Sequence, residues 1–389
     1  NMEFPIEHFS VNWIDGMKIS KDHFIDTNKY VVDLIRSNQS TYINSFNYGL
    51  CIPEYKSEES IEIQVSESAE NTLKITLQKC TAITSGGFKI KINQNNNNDP
   101  ALTKYIQKNQ HVSSNKSIET RWFEIVLLAN PYKRKPIGIP SIEENPPRHP
   151  STEVSYEIEI IPTEEVSINE LGPYSFLIGR MKSENGIVSF DKTYTPACTS
   201  ISSHKHLIQF HEECISYIQK LHETSYKIIQ KIHKKNKPSA IAKNVQILCE
   251  QTTAYISSIY FILLNELPES TPIKLINCIS TLSSIQYRTY QCLAEEDREE
   301  LFKYFFEWTE LTPKRLDQLL ALSSQIKYDH NNMQASIKSS IDFLIMTDTV
   351  WSKMNALDFI GQRKENIVVT KETVQIKEEA PKKRWSILD

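Results

Sequence analysis

Residues 11–24 read VNWIDGMKISKDHF. Trp13, Asp15 and Gly16 fall within four residues, and His23-Phe24 follows seven residues after the glycine. Glycine is scarce, nine in 389 residues. One placed here asks for backbone freedom, such as a turn between an edge strand and a helix. Ser20 stands where a helix N-cap belongs, with His23 at the third helical position. The run that follows, HFIDTNKYVVDLIRSNQSTYI, sets Phe24, Tyr30, Val31, Leu34, Ile35 and Tyr42 at mostly helical spacing, which predicts one helix over Lys21 to Ser45. Trp13, Met17, Ile19 and Phe24 supply a local apolar cluster. Two readings stay open. The segment is a strand–turn–helix lock, or it presents Trp13 or His23 to a partner. Neither needs catalysis.

Beyond this helix the hydrophobic period changes to two. SIEIQV, TLKITLQKCTAI and FKIKINQ alternate apolar and polar residues, as strands with one wet face do, and RWFEIVLLANP and EVSYEIEIIPTE continue the pattern. PYKRKPIGIPSIEENPPRHP is too proline-dense for helix or central strand and reads as a loop or extended arm. NQNNNNDP is a low-complexity loop, Gly86-Gly87 a turn, and YSFLIGRMKSENGIVSFD a hairpin turning at Asn185-Gly186. Residues 1–195 therefore predict a β domain carrying one helix.

From about Ser202 the signal is helical. Leu207, Phe210, Cys214, Ile218, Leu221, Ser225, Ile229 and Ile232 step by three or four, and Lys237-Pro238 ends the run. Ile241, Val245, Leu248, Thr252, Tyr255, Ile259 and Ile262 repeat the stepping. Further helices are predicted from about Ile273 to Leu293, from Glu295, from Pro313 and from about Met333 to Met354. Short connections make such helices neighbours in a bundle, spanning 196–361. The same stripes suit packing within one chain or a seam between subunits, the second carried by Leu207, Phe210, Cys214, Ile218 and Leu221. Residues 362–389 are charged and mixed in sign and read as a flexible tail.

Composition excludes several classes. A net charge of −4 is too mild to mark a nucleic-acid binder. No run approaches about 18 consecutive apolar residues. Seven scattered cysteines without a C-x-x-C read as reduced, structural and cytosolic. His204, His206 and His211 are clustered, but two helical turns separate the outer pair, too far for one zinc ion, so they read as solvated histidines. No nucleophile motif and no Gly-rich phosphate loop occurs. No catalytic residue, cofactor or metal is expected.

The opening resembles the N-terminal signature of the TssK family, the baseplate adaptors of bacterial type VI secretion systems, whose pattern is close to W-x-E-G-(M/L)-x-L-x-P-Q-H-F. Trp13, Asp15, Gly16, Met17, Ile19, His23 and Phe24 stand in that register, with Asp15 in place of Glu and Lys21-Asp22 in place of Pro-Gln. Phe46 to Leu50, FNYGL, matches the aromatic-Gly-Leu element after the family's helix. The likeness spans roughly residues 5–350 in architecture and is specific in the first 50. It implies an α+β multidomain fold: a β-sandwich-like shoulder domain with one helix, a helical neck and a short C-terminal tail. It implies a non-enzymatic homotrimer on the cytoplasmic side of the inner membrane. The shoulder would meet the wedge proteins TssE, TssF and TssG, with Trp13, Asp15, Gly16, Met17, His23 and Phe24 as contact residues. A C-terminal head of the family meets the membrane-complex proteins TssL and TssM. Only about 30 residues follow the bundle here, too few for that head, so the membrane-side partner is TssL/TssM-like or a replacement. The tail end, APKKRWSILD, offers Arg384, Trp385, Ile387 and Leu388 as a docking peptide or as a clasp on its own trimer.

The competing reading is a phage-like trimeric receptor-binding or tail-tip protein. A distal β-rich tip would mark it; helices and a charged tail stand there instead. An enzyme would need a polar cluster that the sequence does not display.

Overall fold

The computed structural model describes residues 6–55, 57–69, 72–93, 102–107, 120–164, 171–184 and 187–364. The tail beyond Lys364, the Asn-rich loop from Gln94 and the Asn185-Gly186 turn lie outside them. Two compact units are formed, and neither is a sequential segment. The first comprises Asn1–Ile215, Phe261–Cys278 and Lys327–Lys338, the second Ser216–Tyr260, Ile279–Ile326 and Ser339–Asp389.

The first unit holds helix α1 (Lys21–Ser40) and two antiparallel sheets. The first sheet contains β1 (Gly49–Leu50), β2 (Ile61–Ala69), β3 (Thr72–Ile83), β4 (Lys89–Asn93) and β5 (Leu102–Gln107). β3 is its spine: Cys80 pairs with Ile61 on one edge and Ile92 on the other, Leu77 with Ile63 and Leu102. Its alternation is the one the sequence displays, with Leu73, Ile75, Leu77 and Cys80 buried. The second sheet runs β7 (Ser151–Pro162), β6 (Arg121–Ile137), β8 (Ser175–Glu184), β9 (Ile187–Phe190). β6 pairs with β8 only over Arg121–Leu128, but with β7 out to Ile137. The proline-dense stretch is thus partly strand, an extended arm in which Pro131 falls at the register shift between Ala129 and Arg134. β5 carried no clear alternation and was not expected.

Helix α1 stops at Ser40, five residues short of the expected end. Asparagine side chains take over there: Asn47 Oδ1 accepts from the Asn44 amide at 2.7 Å, and Asn47 Nδ2 donates to Tyr42 O at 2.8 Å. Such side-chain bonds offer the backbone an alternative to helix. The FNYGL element is sewn into the unit. Leu50 N–H donates to Ala197 O at 2.8 Å, Asn331 Nδ2 to the Tyr48 hydroxyl at 2.7 Å, and His330 Nε2 lies 2.8 Å from Tyr48 O. Gly49 has φ +113°, and a Cβ there would lie 2.1 Å from Ala197 O. Only glycine fits this crossing.

The second unit is helical, built from parts of α2 (Lys205–His233), α3 (Ala240–Asn265), α4 (Pro272–Gln291) and α7 (Gln334–Ala356), with α5 (Glu295–Thr309) and α6 (Pro313–Ser324). Polar bonds fix its register. Trp351 Nε1 donates to Ser225 Oγ at 2.8 Å, Gln286 Nε2 to Thr252 Oγ1 at 3.2 Å, and Ser283 and Ser323 hydroxyls meet at 2.7 Å. The expected α2 stripe is buried, with Ile228 in place of Ile229; on α3 the stripe shifts to Ile256, Ile259 and Leu263. Leu207, Phe210, Cys214, Ile218 and Leu221 are all buried within the chain's own packing. They do not face outward, so a seam between subunits needs other residues. Among the described residues α3 alone is long and apolar enough to cross a membrane. Its buried stripe and its bond from Gln286 mark a helix packed by its own chain.

Ile218 has no exposed surface. Replacing Ile218 with Asp buries an unpaired charge, costing about 3–5 kcal/mol. Circular dichroism should show loss of helix and a lower melting temperature. A well-folded chain that has merely dissociated would place Ile218 at a seam after all.

Candidate partner-binding surface

Asp33 of α1 is 2% exposed. Its Oδ2 accepts the Glu7 and His8 amides at 2.8 and 2.7 Å, and His8 Nδ1 lies 3.2 Å away. Its Oδ1 accepts from the Tyr132 hydroxyl and, at 3.3 Å, from Arg36. Arg36, also buried, donates to Gly86 O at 3.2 Å and to the Tyr132 hydroxyl at 2.8 Å, and stacks 4.6 Å from the Tyr174 ring centre. One ion pair thereby ties the N-terminal segment, α1, the β3–β4 turn and β6 together. Burial pushes the Asp33 carboxyl up, but the bonds from Tyr132, from the amide and ring of His8 and from the Glu7 amide outweigh it and hold the carboxyl below its ordinary range.

This clamp inverts α1. Its two buried residues are the charged Asp33 and Arg36, while Phe24, Ile25, Val31, Leu34 and Ile35 are exposed. The apolar stripe that the sequence displays faces outward. The N-terminal segment adds to the same apolar character: Phe9, Trp13, Ile14 and Ile19 are exposed. Trp13, 50% exposed, sets its ring 5.9 Å from His23 and 6.3 Å from Phe24, itself 58% exposed. The expected apolar cluster forms, but on the surface. His23 closes the helix start, its Nδ1 accepting the Ser20 amide at 3.1 Å. Gly16 has φ +80° in a turn where the Met17 amide donates to Ile14 O at 3.3 Å. The described residues before it form no strand, so the lock is turn-and-helix only. Of the six expected contact residues, Trp13, His23 and Phe24 come together, Asp15 and Gly16 lie exposed in the turn, and Met17 is half-buried. Phe9 and Ile14 escaped the sequence reading, as did the outward direction of the α1 stripe. Apolar spacing alone gives no sign of which helix face is inward.

Of the clustered histidines, His211 is buried and His204 and His206 are half-buried, so they are less solvated than expected. His211 is buried with Nε2 2.7 Å from Leu263 O, and burial pushes His204 down to about 3, with His206 and Lys205 adding to it. Among the described residues no group of His, Cys, Asp or Glu is arranged to hold a metal ion.

No family model matches the sequence, and no curated protein matches it. Solved structures do. A crystal structure of TssK is similar over 88% of this chain and 69% of its own, at 10% identity and TM-score 0.51. A chain of the baseplate complex from the type VI secretion system is similar over 87% of this chain and 99% of its own, at 10% identity and TM-score 0.50. The fold is TssK-like.

Asp33→Asn removes the buried carboxylate that pairs with Arg36 and accepts from Tyr132 and from the Glu7 and His8 amides, at a cost of about 3 kcal/mol. A carboxyl held low stabilises the fold above about pH 4, the unfolded range, and that contribution is lost as pH falls through its folded value. Thermal melts should show the variant well below the parent at pH 7, with the gap closing in acid. Equal melting temperatures at pH 7 would show that the clamp does not hold the fold.

Proposed function

We propose that this chain is a non-enzymatic structural adaptor of a type VI secretion baseplate, linking the wedge to the membrane-anchored complex from the cytoplasmic side. The observation that carries this reading is the exposed aromatic surface of Trp13 and Phe24 on a TssK-like fold. An exposed Trp–Phe pair is what a protein partner buries as a hot spot. The partners are TssF- and TssG-like wedge proteins, with a TssE-like one beside them. The membrane-side partner is a TssL/TssM-like protein or its replacement. Arg384, Trp385, Ile387 and Leu388, proposed for that docking, lie outside the described residues.

The adaptor is a homotrimer in this reading. Its seam is not the buried α2 stripe but the end of α3 with the start of α2. Phe261 is 68% exposed there, and Ile262, Leu264 and Ile208 are exposed beside it. His211 on α2 bonds Leu263 O on α3, which ties the two helices together there. Exposed apolar side chains on two packed helices are the kind of surface subunits share.

Light scattering on the full chain should give about three times 45.0 kDa, and Phe261→Asp should lower it. A monomer at micromolar concentration contradicts the trimer. Co-expressed TssF- and TssG-like proteins should co-purify with the parent chain. They should bind Trp13→Ala/Phe24→Ala at least about thirtyfold more weakly, the ~2 kcal/mol of a hot spot. Undiminished binding by that variant contradicts the assigned surface.

A further inference from the structure

The last described residues lie along α5, in the same unit as that helix. The Gly361 amide donates to the Tyr304 hydroxyl at 2.9 Å, and Trp308 Nε1 donates to Gln362 O at 3.1 Å. Arg363 bridges Glu307 at 3.0 Å and Glu300 at 3.1 Å, with its guanidinium 5.4 Å from the Tyr304 ring centre. The Lys364 amide donates to Glu307, and its ammonium lies 5.7 Å from the Trp308 ring centre. Glutamates and aromatic rings together hold a basic pair on the helix.

The rest of that surface has the same chemistry. At about 3.6 residues per turn, Glu295, Glu296, Glu299, Glu300, Phe306 and Glu307 share one face of α5. Lys303, on the same face, pairs with Glu299 at 3.1 Å. Glu295 and Glu296 are exposed and have no ion-pair partner among the described residues. Phe306 is 45% exposed beside them.

We propose that Lys382, Lys383, Arg384 and Trp385 of the same chain seat on this face, the cations against Glu295, Glu296 and Glu299 and the indole toward Phe306. Charge and tether select this occupant. Three consecutive cations meet five glutamates and one lysine, on a helix that already takes Arg363 and Lys364 in the same way. A random chain as long as residues 365–381 spans about 23 Å, and α5 from Glu307 back to Glu295 covers about 18 Å. A tether that matches its span holds a segment at up to millimolar effective concentration, so contacts too weak to capture a separate peptide suffice within one chain. Exposed ion pairs are of that weak kind, and salt screens them. The inference stands without the baseplate reading. Within that reading, a membrane-side partner has to displace these residues from α5.

The test places two thiols in the full chain, Lys303→Cys and Ser386→Cys, with the exposed Cys292 changed to Ser. A short bis-maleimide should link the two within one chain, as read by peptide mapping, and added salt should slow the link. Lys382→Glu/Lys383→Glu/Arg384→Glu leaves α5 untouched and should lower the linking rate at least tenfold. Glu295→Gln/Glu296→Gln should lower it too. Chains carrying one thiol each, when mixed, should give no covalent dimer. Absence of the link overturns the inference, as does a rate that either set of replacements leaves unchanged, since the segment is then tethered but not seated. A covalent dimer from the mixed chains also overturns it, by placing the segment on another copy.

Discussion

The first unit depends on one buried ion pair. Asp33 and Arg36 occupy the inner face of α1, where apolar side chains ordinarily pack, and between them they bind the N-terminal backbone, β6 and the β3–β4 turn. A buried pair seldom stabilises more than well-packed apolar residues would, but removing one partner is expensive. Its value here is geometric. It fixes which way α1 faces, and so decides that the apolar stripe is spent on a surface rather than on the core. Asp33 also holds the N-terminal segment to α1 at Glu7 and His8, upstream of the Trp13–Phe24 contact.

The long helices obey ordinary rules. Apolar stripes on α2 and α3 are buried within the chain, and polar groups that enter the packing arrive in bonded pairs, such as Trp351 with Ser225 and Gln286 with Thr252. The residues left bare on these helices, Phe261 above all, are therefore informative. They are apolar in excess of what the chain's own packing uses. A chain with surplus apolar surface at the N-terminal segment, on the extended arm and at the end of α3 has the makings of an assembly part.

The sequence made some of this legible. Period-two alternation located β3, β4 and most of β6 to β9, and three-four stepping with proline punctuation located α2 to α7 within a few residues. These signals are local and follow from burial of one face. Orientation was not legible. The stripe of Phe24, Val31, Leu34 and Ile35 is periodic whichever way it faces, and only the long-range bonds of Asp33 to Tyr132 and Arg36 to Gly86 O decide it. The same holds for His211, whose carbonyl partner is 52 residues away, and for Gly49, whose need for glycine arises from a crossing with Ala197. Trp13, His23 and Phe24 were found together because they are close in sequence; Ile139 and Ile142, exposed on the extended arm, were hidden in a proline-rich stretch that reads only as a loop.

The central claim is that the clamped N-terminal surface is where the wedge binds. Hydrogen–deuterium exchange of the full chain, alone and with co-purified TssF- and TssG-like proteins, tests it most directly. Amides from Phe9 to Ile19 mostly lack backbone partners in the free chain and should exchange rapidly there. The account predicts that they become protected, together with the first turns of α1, when the wedge proteins are bound. Protection that appears only on the helical unit, with residues 9–25 exchanging as fast as before, would contradict it.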